Sequence, residues 1–83
     1  MTNKTLFLTI RARQEILFQE NVFAVSSIND TGFFDVLPEH AFFISLIKKI
    51  VVIHERSGST RQIEISEGIM HVEQGQVHIY LDK

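Results

Sequence analysis

The sequence predicts an all-β domain, a two-sheet β-sandwich of about ten short, mostly antiparallel strands. Three observations predict it. Apolar residues alternate with polar ones at a period of two, the apolar runs are rich in Ile, Val and Phe, and turn chemistry separates those runs at regular intervals.

In chain order, Leu6, Leu8 and Ile10 alternate with Phe7, Thr9 and Arg11 and read as a first strand. Ala41–Ile47 and Ile50–Ile53 are denser runs, expected to be strands buried on both faces or the centre of the sandwich. Phe43, Ile47 and Ile50 also have helical spacing, but the β-branched content of this stretch favours a strand. Ile63 and Ile65 alternate with Gln62, Glu64 and Ser66, and Val77, Ile79 and Leu81 with His78, Tyr80 and Asp82. Asn29-Asp30-Thr31-Gly32, Ser57-Gly58-Ser59-Thr60, Glu67-Gly68 and Gln74-Gly75 supply the residues that chain reversals need. Gln74-Gly75 as a two-residue loop fixes a register: Glu73 opposite Gln76, Val72 opposite Val77, His71 opposite His78, Met70 opposite Ile79. The core face is then Met70, Val72, Val77 and Ile79, and the opposite face Ile69, His71, His78 and Tyr80.

Residues 1–83 form one domain, without repeats, linkers or low-complexity segments. The apolar fraction of 45% and charged fraction of 22% are those of a globular domain. A net charge of −2 lacks the basic excess that phosphate neutralisation requires, so nucleic acid is not an expected partner. No cysteine is present, which excludes disulfides and thiol nucleophiles. Lys48-Lys49 interrupts the greasiest stretch well short of the ~20 apolar residues of a membrane helix, so no direct membrane insertion is expected.

No catalytic, cofactor or metal site is expected. The serines at 26, 27, 45, 57, 59 and 66 have no glycine-flanked elbow and no base near them in sequence. The glycines are scattered singly, and the acids are dispersed. The expected His71/His78 cross-strand pair could hold a metal, but only Glu73 offers itself as a third ligand, and two surface imidazoles facing each other are the favoured reading. His54, beside Glu55 and Arg56, reads as part of a charged exit from a strand. In Gly32–Ala41, alternation sends Phe34 and Val36 inward and leaves Phe33 outward beside Asp35, either an exposed aromatic of the kind that anchors interfaces or part of a second hydrophobic cluster beneath the loop. His40 reads equally as a structural hydrogen-bonding residue or a partner contact.

Gly32, Phe34, Val36, Leu37, Pro38, His40 and Ala41, followed by Ser66, Gly68, Ile69, Met70, Val72, Val77 and Asp82, form a pattern that resembles the N-terminal domain of the ε subunit of F-type ATP synthases. Leu6–Ile10, Phe18 and Val22 agree with that family's first strands, so the resemblance spans essentially the whole chain. It implies a non-catalytic rotor subunit at the foot of the central stalk, bound to the γ subunit and resting on the polar loops of the membrane c-ring. It implies coupling of ion flow to ATP synthesis, no cofactor, and a peripheral position on the cytoplasmic side of the inner (plasma) membrane. Carried over by position, Phe33, Asp35, Glu39 and His40 become ring contacts, and Ile69, His71, His78 and Tyr80 an exposed interface face. The pattern departs from the family's glycines at Asp35, Glu39 and Glu67, and from its prolines at Phe42 and around Lys48-Lys49, so these turns are expected to bend differently. Acids at Asp35 and Glu39 suit a partner bearing Lys or Arg. The family's C-terminal helical hairpin has no counterpart in these 83 residues, so inhibition by that route and a nucleotide site are not expected. The alternative reading is a free-standing protein-binding sandwich that keeps the fold without the rotor role.

Overall fold

Period-two alternation becomes seven strands in the computed structural model, which describes residues 4–39 and 42–82. They are β1 (Leu6–Arg11), β2 (Ile16–Val22), β3 (Ala24–Asn29), β4 (Gly32–Val36), β5 (Phe43–His54), β6 (Thr60–Glu73) and β7 (Gln76–Leu81). Hydrogen bonding links them in one sheet of order β2-β1-β7-β6-β5-β3-β4, antiparallel except where β1 runs parallel to β7.

That sheet must fold over on itself. Among the described residues there is no helix to cover a face, yet Leu6, Leu8, Val25, Val36, Met70 and Ile79 are fully buried in one cluster fed by both ends of the strand order. The two long strands make the fold possible by serving both layers. The first half of β5 and the second half of β6 join β7, β1 and β2; the second half of β5 and the first half of β6 join β3 and β4. Two aromatic contacts tie the layers together at their rims. Phe34 on β4 meets Phe43 on β5 edge-on at 5.9 Å between centroids, and the Arg61 guanidinium lies 5.4 Å over the Phe18 ring. The architecture is the expected sandwich, with seven strands instead of about ten because two strands each do the work of two shorter ones.

The joint between the layers lies at Lys48–Ile50 and Ser66–Glu67. Opposite β3, the pairing jumps from Val51 to Lys48, leaving Lys49 and Ile50 without partners on that strand. Opposite β5, it jumps from Ile65 to Glu67, leaving Ser66 as an extra residue. Such bulges bend a strand and strengthen its twist. The extra residue also resets the alternation of β6: Ile63 and Ile65 face the core before it, and Gly68, Met70 and Val72 after it. Lys49 would fall on the core side between Ile47 and Val51, but it is exposed, and its φ of 74° is the only positive value on a described residue other than glycine. The Ile50 carbonyl freed by the bulge accepts a hydrogen bond from the fully buried Ser27 hydroxyl at 2.7 Å, which explains a serine in the core.

The β6–β7 hairpin has the register expected from Gln74-Gly75, down to His71 opposite His78, and Gly75 takes a φ of 76°. One expectation is overturned. Burial on both faces does not hold for the described part of 41–47 and 50–53, Ala41 lying outside the described residues. Residues 43–54 are a single strand, interior in the strand order, with a solvent face on which Ile44 and Leu46 are exposed. The run looks continuous because its outward side is also apolar, and alternation alone cannot distinguish that from burial on both sides.

Candidate interaction face

The outward side of the β5–β6–β7 layer carries the largest group of exposed apolar side chains. The ladder places Ile44 opposite His71 and Leu46 opposite Ile69 across β5–β6, then His71 opposite His78 and Ile69 opposite Tyr80 across β6–β7. Leu46 is 70% exposed, Phe42 63% and Ile44 59%. The Phe42 ring stands edge-on to His71 at 5.4 Å, and His78 stacks on Tyr80 at 6.1 Å with 14° between planes. The face is therefore a row of aliphatic tips bordered by ordered rings. Aromatic anchors and depletion of charge are what the centres of protein interfaces have in common. The four residues expected here, Ile69, His71, His78 and Tyr80, do share this face; Phe42, Ile44 and Leu46 were missed because their run was read as buried.

The imidazole pair gathers no clear third metal ligand among the described residues. His71 Nε2 lies 3.4 Å from a carboxylate oxygen of Glu73, the residue that would have been the third ligand, while His78 engages Tyr80. No group of three His, Cys, Asp or Glu suited to a metal occurs among the described residues.

The four residues expected to face a ring divide differently. Phe33 is 72% exposed on β4, the outermost strand of the second layer. Asp35, on the same face of β4, accepts a hydrogen bond from the Ser26 hydroxyl. Glu39 lies 3.6 Å from the Lys4 ammonium, a solvent-exposed pair of little energetic weight. His40 falls outside the described residues. An open groove runs between the Leu37–Glu39 segment and the start of β1, with Phe23, Arg56 and Arg61 along it. Its charges are largely matched within the domain, Arg61 to Glu55 at 3.0 Å and Lys4 to Glu39.

One constellation was invisible in the sequence. Ser26 on β3, Asp35 on β4 and His54 on β5 come together, with Ser26 Oγ 2.9 Å from His54 Nε2. In a hydrolytic triad the imidazole stands between serine and acid and takes the hydroxyl proton. Here the serine stands in the middle and its hydrogen bond goes to the carboxylate, so the hydroxyl is not activated. The cluster is polar bracing, not a nucleophile.

Comparison with known proteins decides the family. Residues 5–83 match the family model described as ATP synthase, Delta/Epsilon chain, beta-sandwich domain. The chain belongs to that family. A search of curated protein sequences returned no match. Among solved structures, this delta/epsilon-type domain superposes on a chain of the Euglena gracilis mitochondrial ATP synthase (the OSCP/F1/c-ring assembly in rotational state 1) with a TM-score of 0.88 and 27% identity. The match covers 95% of this chain and 51% of that one, so the domain spans about half the length of that relative. A second match, to the central stalk and c-ring of the Tetrahymena thermophila mitochondrial ATP synthase, has a TM-score of 0.74 at 10% identity, covers 99% of this chain and 67% of that chain, and is a likeness of fold. The resemblance read from Gly32–Ala41 and Ser66–Asp82 thus led to the right family, and the all-β sandwich it implied is the fold observed.

Proposed function

We propose that this delta/epsilon-type domain is a non-catalytic central-stalk subunit of an F-type ATP synthase. It grips the γ subunit through the face of Phe42, Ile44, Leu46, Ile69 and Tyr80 and presents Phe33 and the Leu37–His40 segment to the polar loops of the c-ring. Its work is mechanical: it links the stalk to the ring, so that ion flow and ATP synthesis stay coupled. It sits beside the membrane as a peripheral subunit on the F1 side, which in a bacterium is the cytoplasmic face of the plasma membrane.

The observation that carries this reading is the exposed row on β5. A domain this small gains nothing by leaving Ile44 and Leu46 in water, and contiguous apolar surface of this kind marks a place where another protein sits. Family membership supplies the candidate partner. The test is binding of the domain to an isolated γ subunit by calorimetry. A saturable complex that Leu46→Glu weakens is the expected result; no binding where a standard ε subunit binds would overturn it.

One observation favours the alternative, a free-standing protein-binding sandwich. Asp35 and Glu39 already have partners within the domain, Ser26 and, at the surface, Lys4, which leaves Phe33 as the exposed ring-facing residue, among those described, without such a polar partner. Substituting Phe33 and His40 in the assembled synthase distinguishes the two: proton pumping falls if they touch the ring and is unchanged if the domain has no rotor role.

A further inference from the structure

We propose that Ser26, Asp35 and His54 form a clasp that locks β4 to β5 across β3, and that this clasp sets the position of Phe33 and of the Leu37–Glu39 segment. The three residues lie on three adjacent strands and project from the same outward face, with Ser26 between the other two. Ser26 is only 5% exposed, so its hydrogen bonds are shielded from competing water. β4 is the last strand of its layer and pairs with β3 alone, so a link that reaches past β3 is an anchor its own ladder cannot supply.

Counting hydrogens fixes the direction of the chain. The serine hydroxyl has one hydrogen, and an ionised carboxylate has none, so the bond between Ser26 and Asp35 uses the hydroxyl hydrogen. The 2.9 Å contact with His54 must then use the ring's hydrogen, with Nε2–H donating to Ser26 Oγ. The neutral ring with its hydrogen on Nε2 and the imidazolium both satisfy this; the tautomer with its hydrogen on Nδ1 does not. Bonds running imidazole to hydroxyl to carboxylate polarise one another in the same sense, and the last is charge-assisted.

The neighbouring strands place no charge directly opposite the ring. On this face β3 contributes Ala24, Ser26 and Ile28, and β6 contributes Thr60, Gln62 and Glu64, with Thr60 opposite His54 and Glu64 away from it, opposite Ile50. Glu55, the first residue after β5, is held by Arg61. Asp35 is the acid that β4 brings to this face. The clasp is a property of the domain itself and does not depend on which partner meets Phe33.

Long-range nitrogen–proton NMR of the imidazoles at alkaline pH, where the rings are neutral, tests the direction. A hydrogen on Nε2 of His54 is expected; a hydrogen on Nδ1 overturns the proposal. Amide exchange tests the lock. In Ser26→Ala, exchange along residues 33–36 should accelerate about tenfold while β1, β6 and β7 change less than about twofold. Asp35→Asn, which keeps the shape and removes the charge, should act in the same direction and stands in if Ser26→Ala fails to fold. Unchanged exchange in β4, or equal acceleration in every strand, overturns the clasp.

Discussion

The two outward faces of the sandwich are built from the same two long strands and have opposite chemistry. Beyond the joint toward β7, the face shows Phe42, Ile44, Leu46, Ile69 and Tyr80 to solvent. Toward β4, the same strands contribute His54, Thr60, Gln62 and Glu64, and β3 and β4 add Ser26 and Asp35, so that this face is braced by its own hydrogen bonds. Phe33 is the exception there, on the outermost strand. A face that satisfies itself offers a partner little beyond its rim, here Phe33 and the Leu37–Glu39 segment. One that leaves aliphatic tips exposed beside ordered rings has the make-up of an interface centre, which is why the proposed γ contact is assigned to the first.

A single extra residue marks the place where β6 passes from one layer to the other. Because Ser66 has no partner on β5, every side chain after it in β6 points to the opposite side from where simple alternation would send it. Deleting Ser66 should leave Met70 and Val72 inward and Ile69 and His71 outward, because the ladder then runs unbroken from Ile65 to Glu67, but it removes the bulge that bends β6 from one layer into the other. The domain should therefore lose stability, read as a lower urea midpoint; a deletion variant as stable as the parent would show that the joint does not depend on this bulge.

The binding contrast is tested by one charge on each side. Leu46→Glu should weaken association with the γ subunit by about 2–3 kcal/mol, because an interface centre tolerates an unpaired charge poorly. Folding stability should change by less than about 0.5 kcal/mol, since residue 46 is exposed in the free domain. Gln62→Glu, on the braced face, should leave both quantities within about 0.5 kcal/mol. Equal losses of binding from the two substitutions would remove the distinction. At the joint itself, a Cβ on Gly68 would stand 2.9 Å from the Tyr80 carbonyl oxygen and 3.0 Å from Leu81 Cδ2. Gly68→Ala should therefore cost about 1–3 kcal/mol in a denaturant titration, and a neutral effect would mean that β7 gives way freely.

Much of this was legible beforehand, for physical reasons that also mark the limit. The Gln74-Gly75 loop is local, so it carried the register of β6 and β7 and the composition of the Ile69/His71/His78/Tyr80 face. The outward course of Phe33 followed from alternation in the same way. The exposure of Ile44 and Leu46 was hidden because an apolar interface face and an apolar core face look identical in sequence. The Ser26–Asp35–His54 clasp was hidden because its members are brought together only by the order of β3, β4 and β5. The bulge at Ser66 left no mark beyond a shift of parity between Ile65 and Gly68, easily mistaken for the end of one strand and the start of another, which is how seven strands came to be counted as about ten.

At the joint a small gain is also expected. At Lys49 a side chain that alternation would bury is turned out to solvent by a left-handed backbone, at φ 74°. For a residue with a Cβ that conformation costs about 1–2 kcal/mol, and for glycine almost nothing. Lys49→Gly should raise stability, but part of the relief is lost because glycine is freer in the unfolded chain. A net gain of about 0.5–1 kcal/mol is expected, read as a higher urea midpoint at unchanged slope. Binding to the γ subunit should stay the same, because the substitution relaxes the bend without moving either face. A loss of stability would mean that the lysine side chain holds the joint in place. A gain in stability with weakened binding would mean that the strained bend is what aims Leu46 and Ile44 at the partner.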